Sequence, residues 1–429
     1  MPNRQQRPPI YDLDQLQLPS IDRIVLDNQV PIYVINQGAS DALKLEIVFN
    51  AGRPYENKPL VARACAAQIK EGSNLHTASQ IGELMDFYGS SLKVPVDMDF
   101  SCITLYTLKR HFAKVVPFVE DIVLHPTFPH RELEHYIECS ASQLEVETSK
   151  VDVIAYRSIT EQIFGAQHPY GYNSTASMYQ NLRREDLLDH FQQHYHAGNC
   201  RIFICGAIGN RELDILSESL GKIPYKSASK PHMPLKTPAS QPLFIEQKEA
   251  LQTAIRWGLP LFKRAHPDYA ALQFINTILG GYFSSRLMNN LREDKGYTYN
   301  ISSSIDAMRF DGSWIISTEV GNEFVEQTRE EIHKEISLLQ EVLLDEQELQ
   351  MVRNYIQGTL LSMIDGPFNT AELVRNLISN GVPLEDFNET VSVNKMLSPE
   401  RIRALFRQYL PLDQIQEVIV GPKAPKRGL

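Results

Sequence analysis

The sequence predicts an α+β protein of two homologous domains, each an antiparallel-rich sheet packed with helices. Its 429 residues are enough for two domains of about 200 residues each. The same order of strand-like and helix-like segments occurs twice along the chain, which indicates a duplicated unit. A stretch rich in Pro, Ser and Lys, residues 224–242, separates the two copies and is typical of an interdomain linker.

The first copy, residues 15–223, opens with segments that are rich in Val and Ile and alternate with period two, at 23–36 and 42–52. Helices are expected after them, the first at about 58–71, and alternating strands follow within 91–108. Long helical stretches come next. A helix and a final strand close the copy.

The second copy, residues 243–425, repeats this order. A strand-like segment at 244–260 precedes a predicted helix at 267–281, and paired strands follow at 296–310 and 312–321. Two long helices then carry apolar residues at three-to-four spacing with charges on the other face. A helix and a strand again close the copy, so a duplicated α+β domain is the simplest account.

Composition narrows the classes of partner and the compartment. The net charge is -10, and Lys and Arg are concentrated nowhere, which argues against a nucleic-acid partner. No stretch approaches the roughly 18 apolar residues of a membrane span, and the N-terminus lacks the apolar run of a signal peptide. Five cysteines without a CxxC pair favour buried thiols in a reducing compartment. We therefore expect a cytoplasmic protein with no membrane partner.

Two segments carry a resemblance to a known family. VFNAGRPYENKPLVARACAAQIKEGS lies in the first copy, and FSSRLMNNLREDKGYTYNISSS lies in the second. With the two-copy plan, they resemble the pitrilysin/insulinase family of zinc peptidases, which includes the mitochondrial processing peptidases. The resemblance covers nearly the whole chain and implies two domains that face each other across a cleft. In catalytic members the first segment carries an inverted zinc motif, His-x-x-Glu-His, on a helix that ends in a Gly-Thr turn.

This chain lacks the residues of that motif. Matching Gly72 and the following serine to the Gly-Thr turn places Arg63 and Ala67 at the two His positions and Ala66 at the position of the Glu. Arginine stays protonated and alanine has no donor atom, so these residues can neither bind zinc nor activate water. By the same resemblance the third ligand would fall near Gln143 or its neighbour Leu144. We expect no metal, no cofactor and no catalytic residue in this chain.

The second segment keeps a different part of the family pattern. Catalytic complexes use an Arg and a Tyr, seven residues apart, to hold substrate, and Arg292 and Tyr299 have that spacing. The alternative interpretation is a solvated Arg after a helix and a Tyr packed in a strand. Upstream, the pair Gly280 and Gly281 opens a turn where the lack of side chains permits close approach of a domain or a peptide.

The resemblance implies the non-catalytic, substrate-gripping subunit of a heterodimeric zinc-dependent peptidase. Its partners would be a catalytic, zinc-bearing homologous subunit and extended peptides. Zinc is expected in that partner subunit. One alternative is a peptide-binding or chaperone-like homodimer without proteolytic activity. Another is an autonomous hydrolase with an unrecognised site.

A pair of histidines is a separate candidate for a metal site. His190 and His194 are four residues apart and share one helix face, as a metal pair would. No Glu lies between them, and they belong to the helix that closes the first copy. We expect a structural role, with metal binding as the alternative.

Overall fold

The computed structural model describes residues 16–37, 41–236 and 241–424. Within this part the chain forms two mixed sheets covered by helices. The prediction of an α+β fold with two homologous domains is confirmed. Residue 15, residues 237–240 of the linker and residue 425 lie outside the described residues, so the domain boundaries stay a prediction.

The strands, numbered along the chain, fall into two groups. The first sheet contains β1 (Asp22–Val25), β2 (Pro31–Asn36), β3 (Ala42–Phe49), β4 (Ser91–Lys93), β5 (Ser101–Leu108) and β6 (Cys200–Gly206). The second sheet contains β7 (Leu243–Glu246), β8 (Gln252–Leu261), β9 (Thr298–Ala307), β10 (Gly312–Gly321) and β11 (Gln416–Gly421).

The two sheets share one topology. Their strand orders are β1-β2-β6-β3-β5-β4 and β7-β11-β8-β10-β9. If β1 is set aside, each order reads first, last, second, fourth and third strand of its copy. In both sheets the first and last of these strands pair in parallel, while the other neighbours are antiparallel. The duplication seen in the sequence is therefore a duplication of sheet topology.

Helices occupy most of the remaining chain. The first copy contains α1 (Val61–Gln68), α2 (Ala78–Phe87), α3 (Lys109–Leu124), α4 (His130–Glu147), α5 (Val151–Phe164), α6 (Ala176–Gln180), α7 (Arg184–His194) and α8 (Asn210–Leu220). The second contains α9 (Tyr269–Asn276), α10 (Val325–Glu341), α11 (Glu346–Met363), α12 (Gly366–Ser379), α13 (Asp386–Met396) and α14 (Pro399–Tyr409). No helix in the described residues is long and apolar enough to cross a membrane.

Short helical turns connect several of these elements. The 3₁₀ turns are Arg53–Tyr55, Ala197–Asn199, Asn322–Phe324 and Leu412–Gln414, and the π-helical turns are Thr277–Gly281 and Met288–Asp294. The helix expected at about 58–71 is shorter and spans only α1. The helix expected at 267–281 begins as α9 and ends in the first π-helical turn.

One helix of each copy packs on the sheet of the other copy. Helix α5 of the first copy packs Ile159 and Ile163 against Ile315 and other residues of the second sheet. Helix α12 of the second copy packs Val374 against Phe203 and other residues of the first sheet. The apolar faces of α5 and α12 are thus buried by residues distant in sequence, and the two halves form one interlocked unit.

Buried charges accompany these exchanged helices. Arg375 of α12 has its Nε 3.1 Å from the Oε1 of Glu46 on β3, and Lys44 lies 3.1 Å from the same oxygen. On the other sheet, Arg256 of β8 donates a hydrogen bond from Nη2 to the carbonyl oxygen of Asp152 in α5, at 3.4 Å. Because a buried charge is costly without a partner, these contacts favour the observed pairing of helix and sheet.

Candidate functional site

Helix α1 contains the three positions that were matched to the zinc motif. Arg63 is exposed, Ala66 is buried and Ala67 is half-buried. Residues three and four apart share a helix face, so the structure brings the three positions together. That face offers a guanidinium and two methyl groups, which do not fit a zinc ion. Among the described residues there is no group of three or more His, Cys, Asp or Glu side chains that could hold a metal.

A polar cluster fixes the start of α1. The Tyr172 hydroxyl donates to the Oε1 of Glu56 at 2.6 Å and accepts from the backbone N–H of Leu60 at 3.2 Å. The other oxygen of Glu56 accepts from the backbone N–H of Ala62 at 3.1 Å. Burial raises the pKa of Glu56, although the Tyr172 hydrogen bond opposes this shift. Glu56 thus satisfies an N–H of the first helical turn, which has no partner within the helix.

A cavity of about 580 Å³ lies between the two halves and borders α1. Arg63 lines it from α1, and Gln143 and Leu144 line it from α4. The structure therefore places the expected third-ligand positions beside the first-ligand position. The opposite wall includes Asp306 and its neighbours on β9 of the second sheet. This cavity is the cleft between the two domains.

Arg292 and Tyr299 lie side by side on the surface of the second domain. The Arg292 guanidinium carbon is 5.1 Å from the centre of the Tyr299 ring and 4.7 Å from that of Phe283. Tyr299 is 84% exposed, which does not fit the alternative of a tyrosine packed in a strand. Arg292 also makes a 3.5 Å contact with Glu293. The Tyr299 hydroxyl makes no hydrogen bond with any other described residue.

The glycine pair serves packing within the second domain. Gly280 is buried against β9, and a Cβ atom there would lie 2.6 Å from the backbone nitrogen of Ser303. Gly281 is exposed, and its nearest contact would be the carbonyl oxygen of Asn276 at 3.2 Å. The close approach that Gly280 permits is therefore between a π-helical turn and strand β9.

The Arg292–Tyr299 pair and the cavity lie at opposite ends of one strand. Tyr299 is near the start of β9, and Asp306 is near its end. Seven residues of extended strand span about 23 Å. Within this single chain, the Arg292–Tyr299 pair is therefore distant from the α1 positions that were matched to the zinc motif.

The paired histidines are buried structural residues. The His190 Nε2 lies 3.0 Å from the carbonyl oxygen of Ala51, and the His194 Nδ1 lies 3.0 Å from the hydroxyl of Ser229. Burial lowers the pKa of His190 to about 3 and that of His194 to about 4. Both rings are neutral at pH 7, and each bonds to a neighbouring loop, so the expected structural role fits their geometry.

Sequence reasoning did not single out two further arginines of the cavity, Arg53 and Arg157. Arg53 lies in the 3₁₀ turn before α1, and Arg157 lies on α5. Periodicity assigns a charged residue to a solvated face, and nothing in the local sequence places these two beside Arg63. The clustering results from the packing of α5 between the two halves.

Comparison with known proteins identifies relatives along nearly the whole chain. Residues 181–356 match the family model described as "Peptidase M16 inactive domain". The chain is 21% identical over 403 residues to an uncharacterized zinc protease, YmxG, of Bacillus subtilis, with 92% of this chain and 96% of that protein covered. It is also 21% identical over 397 residues to the "Non-peptidase homolog YmxG" of Helicobacter pylori, covering 88% and 89% of the two chains.

Solved structures share the fold. A peptidase M16 inactive domain from Pseudomonas fluorescens superposes with a TM-score of 0.85 at 22% identity, covering 95% of this chain and all 100% of that one. A protease from Helicobacter pylori superposes with a TM-score of 0.87 at 14% identity over the same shares. The chain is thus M16-like: residues 181–356 match the M16 inactive domain, and nearly the whole chain resembles uncharacterized zinc proteases and a non-peptidase homologue.

Proposed function

We propose that this protein is the non-catalytic, substrate-gripping subunit of a heterodimeric zinc-dependent peptidase that acts on extended peptides. The observation that carries the proposal is the contact of the half-buried Arg292 with the exposed Tyr299, in a chain whose α1 offers no zinc ligand. The name of the Helicobacter pylori relative, a non-peptidase homologue, supports the absence of catalysis by this chain alone. Zinc would belong to a homologous partner subunit.

The chemistry of the pair suits substrate holding. A guanidinium presents a planar fork of N–H donors that can bind a peptide carbonyl, and a phenol can donate to the oxyanion that forms when water attacks that carbonyl. Stacking on Phe283 and Tyr299 limits the motion of the Arg292 guanidinium, which lowers the entropy lost on binding. The pair adjoins β9, an edge strand, where an extended peptide could add by main-chain hydrogen bonds.

The cytoplasm is the compartment that we propose for this function. All five cysteines are free thiols, and four of them are buried. Such thiols persist in a reducing compartment, whereas secreted proteins commonly form disulfides.

The test is peptide cleavage by the reconstituted pair. The partner would be identified by affinity purification from the native host, and we expect a chain of similar length with the His-x-x-Glu-His motif. Tyr299→Phe should lower turnover by about 100-fold, since it removes one oxyanion donor, and Arg292→Ala should weaken substrate binding as well. Tyr225→Phe, at an exposed tyrosine outside the pair, is the matched control.

Several outcomes would contradict this function. Near wild-type turnover of both variants in an otherwise active complex would return Arg292 and Tyr299 to a surface role. Equimolar zinc or peptidase activity in the purified chain alone would favour an autonomous hydrolase. If no zinc-bearing partner is recovered and the chain self-associates around peptides, the peptide-binding homodimer is the better function.

A further inference from the structure

We propose that the cavity between the two halves is a binding site for the carboxylate of a short peptide, held by Arg53, Arg63 and Arg157. This inference stands on the cavity and does not depend on the gripping role or on a partner subunit. The proposed site includes the face of α1 that cannot hold zinc. The ligand class follows from the side chains that line the space.

The arginines reach the cavity from different elements. Arg53 comes from the 3₁₀ turn before α1, Arg63 from α1 and Arg157 from α5. Among the described residues none of these guanidinium groups has a carboxylate oxygen within 4 Å. Like charges that line one cavity repel one another, although the chain as a whole carries a net charge of -10. An anionic ligand would supply the missing charge.

Neutral groups hold two of the guanidinium groups in position. Arg53 donates to the carbonyl oxygen of Pro169 at 3.1 Å and lies 4.3 Å from the centre of the Tyr172 ring. Arg157 donates to the carbonyl oxygen and the hydroxyl of Ser174 at 2.5 and 3.3 Å. These contacts orient the groups without neutralising their charge, and each guanidinium keeps further donors. Fixed donors of this kind bind a carboxylate with little loss of entropy.

The electrostatic balance of the cavity favours an anion. Burial lowers the pKa of Arg157, and the positive charge of Arg53 lowers it further. The carboxylates of Glu161 and Glu147 raise the pKa of Arg157 and so compensate only part of this effect. Burial raises the pKa of Asp306, and Glu147 accepts a hydrogen bond from the amide of Gln143 at 2.8 Å. A bound carboxylate would relieve the repulsion between the arginines.

The size and the remaining walls indicate a peptide. A volume of about 580 Å³ is within the range of sites that enclose drug-sized ligands. Tyrosine rings and aliphatic side chains cover much of the rest of the wall, and they offer apolar surface to a peptide's side chains. These lining residues include Tyr156, Tyr179, Tyr269, Leu144 and Ile305.

The test is calorimetric titration of the full-length chain with two peptides. The probes are acetyl-Ala-Ala-Glu with a free terminus and acetyl-Ala-Ala-Gln amide, which has the same shape and no charge. We expect saturable binding of the acidic peptide that weakens with added salt, and at least tenfold weaker binding of the amide. Equal affinity of the two peptides, or no heat from either at millimolar concentration, would overturn the proposal.

Variants separate the cavity from general charge effects. Arg63→Gln should weaken the acidic peptide about tenfold, since one charge-assisted contact is lost, and Arg63→Lys should fall between it and the unmodified chain. Arg131→Gln makes the same charge change at an exposed position of α4 and should leave affinity unchanged. Thermal unfolding would verify that each variant is folded. An equal effect of Arg63→Gln and Arg131→Gln would contradict the site.

The contribution of the oriented arginines is tested in the same way. Arg157→Lys keeps the charge but loses the fork that bonds to Ser174, and we expect weaker binding without loss of fold. Inorganic phosphate serves as a second probe of the same cavity. If phosphate binds with Arg63-dependent affinity and the acidic peptide does not, the carboxylate assignment is wrong.

Discussion

Arg63 places a permanent positive charge at the α1 position that, by the family resemblance, corresponds to a zinc ligand of the catalytic members. A guanidinium stays protonated at any physiological pH and has no lone pair for a metal. The neighbouring Ala66 and Ala67 add no donor atom. At the scale of a single residue, a guanidinium at this position cannot ligate a cation but can bind an anion, as the proposed carboxylate site requires.

His190 is a residue whose burial can be measured through pH. The carbonyl of Ala51 only accepts, so the Nε2 of His190 carries the proton in that contact. Burial, with a further contribution from His194, lowers the pKa of His190 from 6.5 to about 3. The unfolded chain thus binds an extra proton below pH 6.5. The neutral ring makes its full contribution to the free energy of unfolding above that pH, and this contribution is lost as the pH falls toward 3.

The prediction concerns the free energy of unfolding between pH 7 and pH 5. His190→Gln can still donate to the carbonyl of Ala51 but does not titrate. The free energy of unfolding lost between pH 7 and pH 5 should therefore be about 2 kcal/mol smaller in this variant than in the unmodified chain. Urea titrations at several pH values would measure it. His130→Gln, on the exposed start of α4, is the control. An unchanged pH dependence in the His190 variant would show that the ring is not buried as described.

At the scale of elements, the packing of a π-helical turn on β9 depends on Gly280. A Cβ atom there would collide with backbone, which cannot rotate away as a side chain can. Gly280→Ala should therefore lower the free energy of unfolding by about 1–3 kcal/mol. Gly358, inside α11, faces open space, and a Cβ atom there would meet nothing within 4 Å. Gly358→Ala should therefore raise stability by about 0.5–1 kcal/mol.

Chemical denaturation of the two glycine variants measures this difference. The same chemical change is expected to have opposite signs at the two positions. Two variants of equal stability would mean that the turn can move away from β9 at little cost. In the reconstituted complex, Gly280→Ala should also lower peptidase activity. A shift of β9 would displace Tyr299, which lies at the start of that strand.

At the scale of the whole molecule, the exchanged helices make each half depend on the other. Without α12, the first sheet would expose Val48, Phe203 and their apolar neighbours. Without the second sheet, Ile159 and Ile163 of α5 would lose their partners. Exposed apolar surface of this kind leads to aggregation.

We predict that residues 1–236 and 241–429, produced separately, are insoluble or aggregated. Co-expressed, they should form a soluble complex of one copy of each. The control is a full-length chain with a protease site inserted after Lys236, which should stay in one piece on size exclusion after cleavage. A monomeric, cooperatively unfolding fragment of either half would show that the exchange is not needed for folding.

The sequence alone accounted for the local features. Period-two alternation located the long strands, and the repeated order of elements revealed the duplication that the matched sheet topologies confirm. The absence of ligands at Arg63, Ala66 and Ala67 and the spacing of Arg292 and Tyr299 could also be read without a structure. These are properties of residue identity and of spacing within one element, so neighbours in sequence are enough to define them.

Only the tertiary structure decided which distant surfaces meet. The apolar face of α5 indicates burial but cannot specify that its partner is the second sheet, because the hydrophobic effect is not directional. The same packing brings Arg157 beside Arg53 and Arg63, and it separates Tyr299 from the cavity by most of the length of β9. Periodicity shows that a face is buried, while the partner of that face is set by the complementary shape and charge of the whole fold.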